Sequence, residues 1–255
     1  MTPKATADHR ADSVNLITTS THPHDVSIER GRMNMSDICK RFAANKKGRD
    51  FYVGDIHGCF DLLEKAMQEQ GFDVTKDRIF SVGDLVDRGS RSEDAIDWIK
   101  RPYFHAVRGN HEDMAIRAHT GNMDRENHIA NGGAWIVGMT KEEQIEYSLA
   151  FQELPYMMEI EQVWGGLFGV VHAELMDGDW GITKEALIDK NHPRHKEAKQ
   201  AVLWGRSKYN NLDDSLINGV NVLFVGHTTV DQVVRLGNVF FIDTGACYGG
   251  ELTFF

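Results

Sequence analysis

Five short blocks of the chain put metal-capable or charged side chains directly after apolar runs. Phe51-Tyr52-Val53 leads into Gly54-Asp55-Ile56-His57-Gly58, and Ile79-Phe80-Ser81-Val82 into Gly83-Asp84-Leu85-Val86-Asp87-Arg88-Gly89. Phe104 to Val107 leads into Arg108-Gly109-Asn110-His111-Glu112, and the later blocks are Val171-His172-Ala173 and Val225-Gly226-His227-Thr228. A lone Asp or His after a strand is an ordinary turn residue. Five such sets, flanked by glycines that permit tight turns and close backbone approach, describe a site. Asp, His and Asn without cysteine form an oxygen-and-nitrogen ligand set suited to Mn²⁺, Fe or Zn²⁺. Six candidate ligands exceed what one four-coordinate catalytic metal needs. Two ions sharing a carboxylate would use them, and such a pair clamps phosphoryl substrates.

The elements that must hold these blocks follow from the hydrophobic pattern. Strands are expected at Phe51 to Val53, Arg78 to Val82 and Phe104 to Val107. Helical spacing is expected after each, with capping-box spacing at Asp61/Glu64 and Ser90/Glu93 and a third helix over Glu112 to Ala118. The resulting βαβαβ half predicts an α/β chain with a largely parallel sheet, whose strand carboxyl ends line one edge where ligands bind. Beyond it, Lys141 to Phe151 reads as helix, and Tyr156 to Glu161 and Leu167 to Val171 as strands around a Trp164-Gly165-Gly166 turn. Asn221 to Val225, Gln232 to Leu236 and Val239 to Ile242 read as late strands, the last two joined by a Gly237-Asn238 hairpin turn. Leu203 to Tyr209 and Asp213 to Leu216 fit no single pattern. Residues 1–49 are polar and form an expected N-terminal extension, loose over 1–34, with a short helix over Ser36 to Ala44. Residues 50–255 form the expected catalytic domain.

Composition narrows the partners. The chain has 255 residues, 41% hydrophobic and 26% charged, as an ordinary globular protein does. It has 28 Lys and Arg against 38 Asp and Glu, a formal charge of −10. The short basic clusters Lys46 to Arg49 and Arg194 to Lys199 read as solvated faces, so no nucleic-acid partner is expected. No apolar run reaches 18 residues and the Val14 to Ile17 patch is too short for a signal-peptide core, so neither membrane nor export is expected. Three widely spaced cysteines, Cys39, Cys59 and Cys247, suit a reducing compartment. The cytoplasm is the expected location.

The blocks GDIHG, GDLVDRG, RGNHE, VHA and GHT, in this order and spacing, resemble the phosphoprotein phosphatase family of metallophosphoesterases. The likeness is greatest to its small bacterial and phage serine/threonine protein phosphatases and covers residues 50–255. Asn131 to Trp135 and Ile242 to Gly245 also resemble this branch. The resemblance implies a calcineurin-like metallophosphoesterase fold, a central β-sandwich flanked by helices. It implies that Asp55 and His57 bind a first divalent ion, that Asp84 bridges, and that Asn110, His172 and His227 complete a second, with Mn²⁺ the leading candidate. It makes His111 the general acid, oriented by Asp87, with Arg88, Arg108 and Arg206 holding phosphate oxygens. The implied reaction is hydrolysis of phosphoserine or phosphothreonine in a protein or peptide, with phosphotyrosine a further substrate, by a metal-bound hydroxide.

Two rival expectations stand beside it. Diadenosine polyphosphate hydrolases share GDxHG and GNH, but tend to carry Ala-Arg-Gly where this chain has Asp87-Arg88-Gly89, and Asp where it has Glu112. A catalytically silent phosphoprotein-binding module would have lost ligands, and none is lost here. Glu112 reads as a first-turn helix acid. His105, His119, His128, His192 and His195 match no block and are expected in surface or structural roles. Asn131 to Trp135 fits equally a substrate-side loop or a glycine turn with a packed Trp.

Overall fold

The computed structural model describes residues 38–255. The expectation of a loose segment over residues 1–34 lies outside them. Three parallel strands, β2 (Asp50–Val53), β3 (Arg78–Ser81) and β4 (Phe104–Ala106), pair in chain order. Helices α1 (Phe60–Glu69) and α2 (Ala95–Ile99) connect them, and α3 (Asn110–His119) follows β4. A second, six-stranded sheet is mixed. It runs β1 (Cys39–Phe42), β5 (Met157–Glu161), β6 (Leu167–Val171), β7 (Val222–Val225), β9 (Val239–Phe241), β8 (Val234–Leu236). Between the sheets' strands lie α4 (Arg125–Ala130), α5 (Lys141–Gln152), α6 (Trp180–Ile188), α7 (His195–Trp204) and α8 (Ser207–Asn210).

Side-chain alternation along the strands makes the layers. Tyr52, Phe80, Met158, Ile160, Val170 and Phe224 face inward and close a core between the two sheets. Phe51, Val53 and Ile79 point the other way, onto Phe60 and Leu63 of α1, Trp98 of α2 and Phe151 of α5. Leu223, Val225, Val239 and Phe241 cover the opposite outer face with Trp180, Leu187, Ala198 and Val202. The result is a β-sandwich with helices on both faces, as expected. The Leu236↔Val239 register also shows the expected hairpin. Among the described residues, no helix is long and apolar enough to cross a membrane.

Two local expectations are corrected. The expected helix does not run through Cys39–Phe42, which is an edge strand parallel to β5; Ser36 and Asp37 lie outside the described residues. Within the strand Cys39 is buried while Lys40 and Arg41 are exposed, and pairing to β5 outweighs a weak helical pattern. That strand lies inside the segment assigned to the extension. Neither capping box forms. Helix α1 starts at Phe60 with no side-chain cap, and a 3-10 turn, Ser92–Asp94, precedes α2. The entry to α2 serves the site instead: Ser92 Oγ accepts the Asp87 N–H at 2.9 Å.

Candidate metal centre

The carboxyl ends of six strands meet at one edge of the sandwich. β2, β3 and β4 deliver Asp55 and His57, Asp84 with Asp87 and Arg88, and Asn110 with His111. β6, β7 and β9, parallel within their sheet, deliver His172, His227 and Asp243. Five of the seven non-glycine residues with positive φ among the described residues sit here: His57, Asp84, Asp87, Arg88 and His227. Such backbone is sparsely populated and persists where the surroundings over-determine it. Glycine is required at two positions for a different reason. A Cβ on Gly109 would collide with the Asp84 carboxylate, and one on Gly226 with that of Asp55.

Asp84 is the hub. His57 Nε2 and His172 Nε2 each lie 3.5 Å from its Oδ2, and His111 Nε2 lies 3.8 Å away. The other nitrogens of the first two rings are committed: His57 Nδ1 to Val86 O and His172 Nδ1 to Val82 O, both at 2.8 Å. These outer hydrogen bonds fix the tautomer and leave the Nε2 lone pair facing the centre, as metal-binding imidazoles require. Asn110 Oδ1 lies 2.8 Å from His172 Nε2 and 3.0 Å from His227 Nδ1. The Asp55 carboxylate accepts the His227 N–H at 3.1 Å.

Among the described residues two groups have ligand atoms close enough to share an ion, His57 with Asp84 and His111, and Asp84 with His172 and His227. The residues fit cations on the structure's own terms. His227 Nε2 is buried with no hydrogen-bond partner among the described residues. Three buried carboxylates, Asp55, Asp84 and Asp243, share the space, and burial followed by the charges of Asp243 and Asp84 raises the Asp55 carboxyl well above its ordinary value. Burial pushes the imidazoles down, His57 to about 4 and His227 to about 3, so both are neutral and able to ligate near pH 7.

His111 has a separate arrangement. Its Nδ1 lies 2.6 Å from Asp87 Oδ2. Burial alone would lower this imidazole, but Asp84 and Asp87 outweigh it and hold it above its ordinary value. Asp87 in turn stays below the usual carboxylate range despite burial, because His111 and His128 donate to it.

The arginines separate. Arg88 is exposed, touches His57 Nε2 through Nη1, and lies over the Tyr248 ring at 5.4 Å. Arg206 is exposed too, near enough to His227 to lower that ring's proton affinity, and its guanidinium makes no hydrogen bond among the described residues. Arg108 is not brought to the site. Its buried guanidinium donates to Phe151 O at 3.0 Å, Tyr156 Oη at 2.9 Å, Gln152 O and Leu154 O. Pinning the turn between α5 and β5 uses the donors that the expected phosphate contact would need.

Several residues of the site had no role in it assigned from the sequence. Glu112 is buried and accepts backbone N–H groups from Asp84, Leu85 and Gly109 at 2.7–3.0 Å, bracing two of the site loops rather than only favouring a helix start. His128 and Trp135 both donate to Asp87. The Asn-Gly-Gly spacing before Trp135 was the one available hint.

A family model for calcineurin-like phosphoesterases matches residues 51–231. Serine/threonine-protein phosphatase 1 of Salmonella typhimurium is 32% identical over 224 residues, covering 87% of this chain and 97% of that one. The asymmetrical bis(5'-nucleosyl)-tetraphosphatase of Bacillus subtilis is 25% identical over 226 residues, covering 80% and 88%. A crystal structure of a cold-active protein tyrosine phosphatase superposes with a TM-score of 0.58 at 16% identity, over 86% of this chain and 77% of that one, a likeness of fold.

Proposed function

The chain belongs to the calcineurin-like phosphoesterase family, and from that premise we propose that it is a serine/threonine protein phosphatase working with two divalent ions, Mn²⁺ first among them, in the cytoplasm. As a metallophosphoesterase it is related to bacterial protein phosphatases and to dinucleoside tetraphosphatases. The observation that favours the first is the His111–Asp87 pair, 2.6 Å apart beside the ligand cluster. A serine alkoxide is a poor leaving group and needs a proton as it departs. A nucleotide leaving from a phosphoanhydride is already a stable anion and needs much less help.

Asp55 and His57 would hold one ion, Asn110, His172 and His227 the other, with Asp84 between them. Bound there, the ions would supply positive charge for the phosphoryl oxygens and a water nucleophile of lowered pKa. The chain's own residues do the rest. Arg88 and Arg206 offer exposed, permanently charged forks to the phosphate oxygens. His111 presents Nε2 toward Asp84 and the reacting phosphate, and gives its proton to the leaving oxygen. Asp87 holds the ring by Nδ1 so that Nε2 points there, and stabilises the imidazolium before transfer.

The test uses metal-stripped protein with Mn²⁺, Mg²⁺, Zn²⁺ or Fe²⁺ restored, assayed on a phosphoserine peptide and on diadenosine tetraphosphate. Metal-restored turnover of the peptide, falling about a hundredfold or more in His111→Asn, is the expected result. Turnover of the dinucleotide alone would overturn the substrate reading.

A further inference from the structure

The Asp87 carboxylate receives three ring N–H groups, not one. His111 Nδ1 lies 2.6 Å from Oδ2, Trp135 Nε1 donates to Oδ1 at 2.6 Å, and His128 Nε2 lies 3.0 Å from Oδ2 and 3.2 Å from Oδ1. Asp87 is fully enclosed. We propose that His128 is a positioning residue for the leaving-group proton, fixing the Asp87 carboxylate, with Trp135, so that His111 meets the leaving oxygen. This rests on the reading of His111 as the acid.

The geometry gives His128 no better employment. Its ring is buried, yet Nδ1 has no partner among the described residues, so the ring is the Nε2–H tautomer directed at Asp87. A side chain serving only the core would be apolar and avoid the cost of an orphaned nitrogen. The surrounding chain is shaped to the same end. A Cβ on Gly133 would overlap the His128 ring. Gly132 adopts φ +105, a conformation open to glycine, and its carbonyl accepts the Arg88 N–H at 3.3 Å. Trp135 packs edge-on against Tyr147 at 5.0 Å while its N–H reaches Asp87. One segment, Asn127 to Trp135, thus controls both Asp87 and the backbone of Arg88.

A carboxylate held by a single donor can turn about its last bond, and the imidazole it carries turns with it. Proton transfer requires hydrogen-bond reach at the moment the bond breaks, and small misplacements are costly. The loss should therefore scale with how much the leaving group needs a proton.

The experiment measures kcat and KM for His128→Leu, His128→Gln and Trp135→Phe on a phosphoserine peptide and on p-nitrophenyl phosphate, whose phenolate leaves readily unprotonated. His128→Leu should lose about tenfold or more in kcat on the peptide, distinctly less on the aryl ester, with KM little changed. His128→Gln can still donate through Nε2 and should recover most of the peptide rate. Trp135→Phe keeps the ring packing and should show the same leaving-group bias, smaller in size. Equal losses on both substrates, or Gln as impaired as Leu, would overturn the proposal. If His128→Leu fails to fold, an unbiased Trp135→Phe or an inactive, folded His128→Gln overturns it alone. His111→Asn separates the two readings. An unbiased loss there removes the acid itself, whereas a biased loss there with none at His128 removes only this inference.

Discussion

The two ends of the sandwich are built on opposite terms. At the strand carboxyl ends, Asp55, Asp84 and Asp243 crowd together in burial, and positive-φ residues follow one another. At the strand amino ends charges are matched. Arg78 grips Asp50 with two bonds of 2.8 Å, Arg49 pairs with Asp77, and Asn45 bridges Asp50 and the Lys76 carbonyl. Tyr52 and Phe224 stack there at 4.0 Å, and the backbone of Phe255 pairs with that of Tyr52. One end is arranged for cations and substrate at a cost to stability, and the other supplies stability. Each end should therefore fail in its own way when it is altered.

The largest effect belongs to the crowded end. On the proposed ligand set Asp55→Asn removes a ligand charge, and it should cut turnover by about a hundredfold to a thousandfold. Neutralising a carboxyl already raised by its neighbours should also leave the metal-stripped fold as stable as the wild type or more so. Thermal melts in chelator check this, and a large drop in Tm would mean that Asp55 serves the fold rather than the ions. Next comes Arg108→Met, which tests where the boundary between the ends lies. Its four acceptors around Phe151 to Tyr156 would lose their partner, costing about 3 kcal/mol of stability. KM for the phosphoserine peptide should stay near wild type. A severalfold rise in KM with unchanged stability would return Arg108 to the phosphate.

Most of the crowded end was legible because parallel strands compress it in sequence. β2, β3 and β4 each end in a glycine-flanked block, so Asp55, His57, Asp84, Asp87, Arg88, Asn110 and His111 stand as three motifs. The six-stranded sheet contributes isolated residues, His172 and His227, which gain meaning only beside those motifs. His128 stayed hidden because its partner Asp87 is 41 residues away and no spacing rule links a helix-borne imidazole to a distant loop. Arg108 is ambiguous in the sequence because a strand-end Arg next to a ligand block looks the same whether its fork meets phosphate or carbonyls. The strand Cys39–Phe42 was missed because a short, half-exposed edge strand with two basic residues has almost no periodic signal. The matched end was invisible as a unit, since Arg49 and Asp77 are ordinary charges until β2 and β3 bring their starts together.

The smallest effect isolates that matched end. The Asp77 side chain is buried and receives four N–H donors, Arg49 N, Nε and Nη2 and Asp73 N, at 2.6–3.2 Å. Burial alone would raise its carboxyl, but these donors hold it below its ordinary value. A folded-state value below the unfolded one makes the stabilisation fully present above the ordinary Asp range, near pH 4. It is lost as pH falls through the lower folded value. Asp77→Asn keeps one acceptor oxygen, and Arg49 is half exposed to screening, so the cost at neutral pH should be about 1–2 kcal/mol. Urea titrations of both proteins at stepwise lower pH should show this gap closing below about pH 4, while turnover of the folded variant at neutral pH stays unchanged. A gap independent of pH would mean that shape rather than charge makes Asp77 useful. A change in turnover would mean that the two ends are coupled through β2 and β3, and the division between them would have to be redrawn.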